Sequence, residues 1–133
     1  MSRRALIVDD MEIVARALST ILNLENFDQV DVVTDPRLAI RTIRELDPDL
    51  VVLDVRMPHM TGAQVIQQLG PRPLHRPGLL IYSASPKEDL DKELERSGLG
   101  YDIFLEKPAG LPGLKQAIQT VLALVQPRPP SGG

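Results

Sequence analysis

An α/β fold, with a parallel five-stranded sheet covered by helices on both faces, is the architecture this sequence predicts. Three observations carry that reading. Short apolar runs alternate five times with stretches of helical periodicity, the pattern of repeated β-α units. The central run, Leu50-Val51-Val52-Leu53, is apolar on both faces, as a strand covered from both sides must be. Polar residues close the runs: Asp9 and Asp10 after the first, Asp54 after the third, Ser83 after the fourth and Lys107 after the fifth. In a parallel sheet these ends share one edge, where open α/β sheets place their ligands.

The elements follow in order. Ala5–Val8 is the first strand. Ile13, Val14, Ala17, Leu18, Ile21 and Leu22 recur at helical spacing, so a helix starts near Asp10 or Met11 and runs to about Leu24. Val30–Val33 is the second strand. Asp35-Pro36 reads as a cap followed by proline at the first helical position, and Leu38, Ala39, Ile43 and Leu46 line one face of the helix it opens. Asp47-Pro48-Asp49 ends that helix before the Asp54 strand. Residues 58–62 form a loop, and Ala63–Leu69 a short helix stopped by Gly70. Residues 71–78 are a proline-rich, basic connection, read as a surface loop. Leu79–Tyr82 is the fourth strand. Pro86 opens a charged helix whose apolar stripe is only Leu90 and Leu94, with its last turn near Arg96-Ser97-Gly98. Ile103–Leu105 is the fifth strand. Pro112 opens a last helix with Leu114, Ala117, Ile118, Val121, Leu122 and Val125 inward.

Residues 1–126 therefore read as one domain without internal repeats, and residues 127–133, rich in proline and glycine, as a disordered tail or linker. There is no cysteine, so disulfides and thiolate metal sites are excluded. Fifteen Lys+Arg against 18 Asp+Glu give a net charge of −3, and no direct nucleic-acid binding is expected. Asp9 and Asp10 break the first apolar run too early for a signal segment or a membrane span, so a soluble cytoplasmic protein without membrane contact is the expectation.

Asp9, Asp10 and Asp54 at one edge would repel one another and raise each other's proton affinity. A hard divalent cation such as Mg²⁺ relieves that crowding. The plainer reading of Asp9 and Asp10 is that they cap the first helix, and of Asp54 that it starts a turn. Lys107 supplies a fixed cation and Ser83 a hydroxyl. Each is unremarked alone. Together with a metal they would hold a tetrahedral anion at Asp54, whose carboxylate can act as a nucleophile on phosphorus.

Four segments carry a family resemblance: Ile7-Val8-Asp9-Asp10, residues 53–62 from Leu53-Asp54 to Thr61-Gly62, Tyr82-Ser83-Ala84, and Phe104-Leu105-Glu106-Lys107-Pro108. In order and spacing they resemble the receiver domains of two-component response regulators, over about residues 4–126. The resemblance implies a flavodoxin-like fold of strand order 2-1-3-4-5 with five helices. It implies Asp54 as phosphoacceptor from a histidine kinase or phosphotransfer protein. It implies Mg²⁺ near Asp9, with Asp10, Asp54 and the backbone carbonyl of Arg56 as direct ligands. Ser83 is then the hydroxyl that moves to the phosphoryl group, Phe104 the aromatic switch residue and Lys107 the phosphate-binding lysine, with the Lys107–Pro108 bond cis. The implied function is a signalling switch and not an enzyme. It alters the surface of the fourth helix, fifth strand and fifth helix to control an output domain or a partner, with a phospho-dependent homodimer among the possible outcomes.

Arg56 and Ser85 occupy the two family positions that tune how long the phosphoryl group lasts. Arg56 lying over that group would hinder attacking water. A competing function is an Mg-dependent phosphohydrolase of the haloacid-dehalogenase type, which also uses an aspartate nucleophile. That family carries its Asp-x-Asp after the first strand, whereas the candidate nucleophile here follows the third and position 56 is Arg. A nucleotide-binding domain is disfavoured, since no glycine-rich phosphate loop follows the first strand.

Overall fold

The computed structural model describes residues 3–127. Five parallel strands, β1 (Arg4–Val8), β2 (Gln29–Val33), β3 (Leu50–Leu53), β4 (Gly78–Ser83) and β5 (Ile103–Glu106), form one sheet in the order β2-β1-β3-β4-β5. The helices are α1 (Glu12–Leu24), α2 (Ala39–Leu46), α3 (Gly62–Leu69), α4 (Lys87–Leu94) and α5 (Leu111–Leu124).

The central strands explain the two-sided apolar runs. Leu6, Val8, Val51, Leu53, Leu79 and Ile81 point to one face and pack with α2, α3 and α4. Their neighbours Ala5, Ile7, Leu50, Val52, Leu80 and Tyr82 point to the other and pack with α1 and α5. The period-two alternation of a strand thus feeds two separate cores from the same residues. The outer strands β2 and β5 are only half covered.

The helix starts are set locally. Asp35 accepts the backbone N–H of Arg37 at 3.0 Å, with Pro36 opening a 3-10 turn (Pro36–Leu38) before α2. Thr61 accepts from Gln64 N at 3.2 Å while the Gln64 side chain accepts from Thr61 N at 2.8 Å, a reciprocal cap that starts α3. Most strand and helix ends differ from the sequence reading by a residue or so, and three of the shifts bear on the site or its neighbours. β4 runs one residue further, through Ser83. α5 begins at Leu111, with Pro112 in its first turn. α4 stops at Leu94, because the Ser97 N–H and hydroxyl both donate to the Leu94 carbonyl and Gly98 turns the chain at φ 70°.

The basic connection of residues 71–78 is a surface loop, as read, and it is fixed to the fold. Arg72 Nη1 donates to Asp102 Oδ2 at 2.7 Å and to the Pro77 carbonyl at 2.8 Å. His75 Nδ1 lies 3.1 Å from Asp102 Oδ1, and Leu79 N donates to Asp102 Oδ2 at 2.7 Å. The Asp102 side chain is buried, so its charge is matched where it cannot be solvated. The tail expected over residues 127–133 lies outside the described residues, apart from Pro127. No helix among the described residues is long and apolar enough to cross a membrane.

Candidate functional site

The parallel register brings the strand ends together. Asp54 N donates to Val8 O at 3.0 Å, Asp9 N to Val33 O at 3.1 Å, and Lys107 N to Ser83 O at 2.9 Å, so the ladder continues one step past each strand and fixes the backbone of all three residues. The side chains then converge. Lys107 Nζ donates to Asp9 Oδ2 at 2.8 Å and stands 3.7 Å from Asp54 Oδ2. It also lies over the Tyr82 ring, 5.5 Å from the centroid. The Tyr82 hydroxyl accepts the Ala109 N–H at 3.0 Å, which holds the turn that carries Lys107. The Lys107–Pro108 bond is cis, as the resemblance implied.

Three of these edge residues are buried: Asp9 is 2%, Asp54 6% and Ser83 1% exposed. Burial is accordingly the main force on Asp54. It pushes the carboxyl above its usual value, Asp9 adds to that by repulsion, and Lys107, the Val55 N–H and the Ser83 hydroxyl pull the other way. Crowding by the other carboxylates, which the sequence put first, is the lesser cause.

The three aspartates differ in what they have free. Asp9 Oδ1 accepts the Met11 N–H at 2.9 Å and Oδ2 binds Lys107, so Asp9 serves the start of α1 and the lysine at once. Asp54 Oδ1 accepts Val55 N at 2.8 Å. Asp10 is half-buried and makes no hydrogen bond or ion pair among the described residues. One carboxylate oxygen from each of the three falls within 4.8 Å of the others. A single lysine cannot neutralise three carboxylates, and an all-oxygen donor set of this size fits a hard divalent cation.

Around this site the structure adds Gly62 and Asp89, which the sequence left without a role, and gives Arg56, Ser83, Ser85 and Phe104 their partners. Gly62 N donates to Val55 O at 2.8 Å, and a Cβ at Gly62 would stand 2.5 Å from the Asp54 carbonyl and 3.0 Å from Val55 Cα. Only glycine lets α3 begin this close behind Asp54. The single hint in the sequence was a glycine next to a threonine cap. Arg56 Nε donates to Ser85 Oγ at 2.8 Å, and its Nη2 to Asp89 Oδ2 at 3.2 Å. Ser83 Oγ accepts the Ser85 N–H at 3.1 Å. Phe104 is half-buried against the α2-α3-α4 core, its ring 6.3 Å from that of Tyr101 and tilted by 57°.

Fold and site together define a doubly wound α/β domain with a buried acidic pocket and one lysine at the carboxyl edge of its sheet. The chain belongs to the response regulator receiver domain family, whose profile matches residues 5–119. It is 29% identical over 126 residues to a protein-glutamate methylesterase/protein-glutamine glutaminase of Trichodesmium erythraeum, covering 94% of this chain and 36% of that one. The chain spans about a third of the length of the curated relatives it matches. Among solved structures, a CheY-like receiver domain from Methylobacillus flagellatus aligns at TM-score 0.74 and 27% identity, over 91% of this chain and 99% of that one. A CheX-CheY-BeF3-Mg+2 complex from Borrelia burgdorferi aligns at 0.76 and 26%, over 90% and 88%. The chain is thus a receiver domain of two-component signalling, a switch module and not by itself a catalytic enzyme.

Proposed function

We propose that Asp54 accepts a phosphoryl group from a histidine kinase or phosphotransfer protein and holds it as a signal to an output domain or a partner. One observation carries the reading. The outer oxygen of buried Asp54 lies 3.7 Å from Lys107 Nζ, in a pocket shared with Asp9 and Asp10. Asp54 Oδ2 attacks phosphorus, the new O–P bond forms, and the donor's bond to phosphorus breaks with its electron pair leaving on the donor. Lys107 stands where charge accumulates on the transferred oxygens. Asp10 and Asp54, with the Arg56 carbonyl, would hold Mg²⁺ directly, and Asp9, both of whose oxygens are engaged, would act beside it. Bound Mg²⁺ supplies the positive charge that the three carboxylates and the incoming group require.

Ser83 then turns its hydroxyl from the Ser85 N–H to the phosphoryl group, and Phe104 moves into the space vacated. The α4-β5-α5 surface changes as a shift between two packings, which needs only a few kcal/mol of bias. That surface would meet the output domain or a second copy of the chain.

The test is incubation with a small phosphodonor and Mg²⁺, followed by intact mass. One phosphoryl group per chain, absent in Asp54→Asn and reduced at least tenfold in Lys107→Met, is the expected result. Continuous turnover of donor would instead support the haloacid-dehalogenase-type hydrolase, and uptake unaffected by Asp54→Asn would refute Asp54 as acceptor.

A further inference from the structure

We infer that Asp89, in the first turn of α4, is a positioning residue for Arg56 and competes with the phosphoryl group on Asp54 for its guanidinium. The inference deepens the proposed function and rests on it. β3 and β4 are hydrogen-bonded neighbours, with Leu53 paired to Ile81, so the segments leaving them run side by side over the pocket. Arg56 bridges these segments, bonded to buried Ser85 on one and to Asp89 beyond it. Ser85 is neutral and fixes only direction. Asp89 is the one anion paired with Arg56 among the described residues.

The pair is built to exchange. The side chains of Arg56 and Asp89 are 74% and 45% exposed, and solvent-facing ion pairs hold weakly. A phosphoryl group two residues before Arg56 would bring about 1.5–2 negative charges and acceptors suited to the guanidinium fork. Asp89 offers a single charge. It is also comfortable without the arginine, because it lies in the first turn of α4, where the helix favours an anion. Phosphorylation therefore draws Arg56 off Asp89 and releases a tether on α4. Conversely, Asp89 withholds Arg56 for part of the time and leaves the phosphoryl group open to water.

The experiment is phosphoryl decay in the full chain, loaded with phosphoramidate and Mg²⁺ and followed by intact mass after donor removal. Asp89→Asn is expected to decay about two- to fivefold more slowly than wild type, the factor that an exposed ion pair controls. In the Arg56→Ala background the same change should have no effect, which a merely structural role for Asp89 would not produce. Equal decay in wild type and Asp89→Asn, or an Asp89 effect that persists without Arg56, overturns the inference while leaving Asp54 as acceptor. Failure of wild type to take up a phosphoryl group overturns both.

Discussion

Burial raises the proton affinity of Asp54, and that shift has a sign for stability. Its folded proton affinity is raised, so between the unfolded value of about 3.9 and the folded one the native state binds more protons than the unfolded chain. Stability falls as pH rises through that window, and the full cost remains above it. In chelator at neutral pH, Asp54→Asn should therefore melt higher than wild type, with the difference vanishing below about pH 3.9. Added Mg²⁺ should raise the melting temperature of wild type and leave that of Asp54→Asn nearly unchanged. A lower melting temperature for Asp54→Asn in chelator would count against burial as the governing force. At this scale much was legible: Asp9, Asp10, Asp54, Ser83 and Lys107 each follow an apolar run, and the register delivers them to one edge. Gly62 and Asp89 were not. The first matters through a backbone approach and the second through a partner 33 residues away, and neither leaves a local pattern.

Among the elements, α4 illustrates what periodicity can and cannot give. Leu90 and Leu94 were read as its thin apolar stripe, and both are buried. The rest of its attachment is polar. Tyr101 donates its hydroxyl to Asp91 Oδ1 at 2.5 Å, Lys87 Nζ lies 2.6 Å from Asp91 Oδ2, and the same ammonium sits over the Tyr101 ring at 5.8 Å. Because the Tyr101 ring also meets Phe104, this latch joins α4 to the position that resembles the aromatic switch. Removing the hydroxyl in Tyr101→Phe should cost about 1 kcal/mol and speed amide exchange in α4 more than in α5. Equal protection of α4 in the variant and wild type would show the latch to be idle. The connection of residues 71–78 teaches the same lesson from the other side. Its prolines announced a loop, but the buried carboxylate that organises it, Asp102, lies 30 residues beyond Arg72 and precedes a strand like any turn residue.

Across the whole molecule, β1, β3 and β4 belong to both cores, so neither face can come apart while the other stands. Leu6 lies fully buried in one and its neighbour Ile7 fully buried in the other. Leu6→Ala and Ile7→Ala should each remove about 2–5 kcal/mol, and each should lower a single urea transition monitored by circular dichroism. A second transition in either variant would mean that the two layers unfold separately. A parallel sheet with helices on both faces follows from the sequence because right-handed crossovers and two-sided apolar strands leave few alternatives. The resemblance added the order itself.

The doubly used strands also bear on how such a chain can change over generations. A residue from Ala5 to Val8 or from Leu50 to Leu53 has no solvent-facing phase, so nearly every polar replacement there is penalised whichever way it points. The loops at the carboxyl edge carry no such double duty beyond a handful of fixed positions. Variation has room to accumulate in the segments around Arg56, Ser85 and α4, while the sheet beneath them stays nearly constant. A saturation library of this domain would divide along that line, with intolerance following the strands and tolerance following one rim.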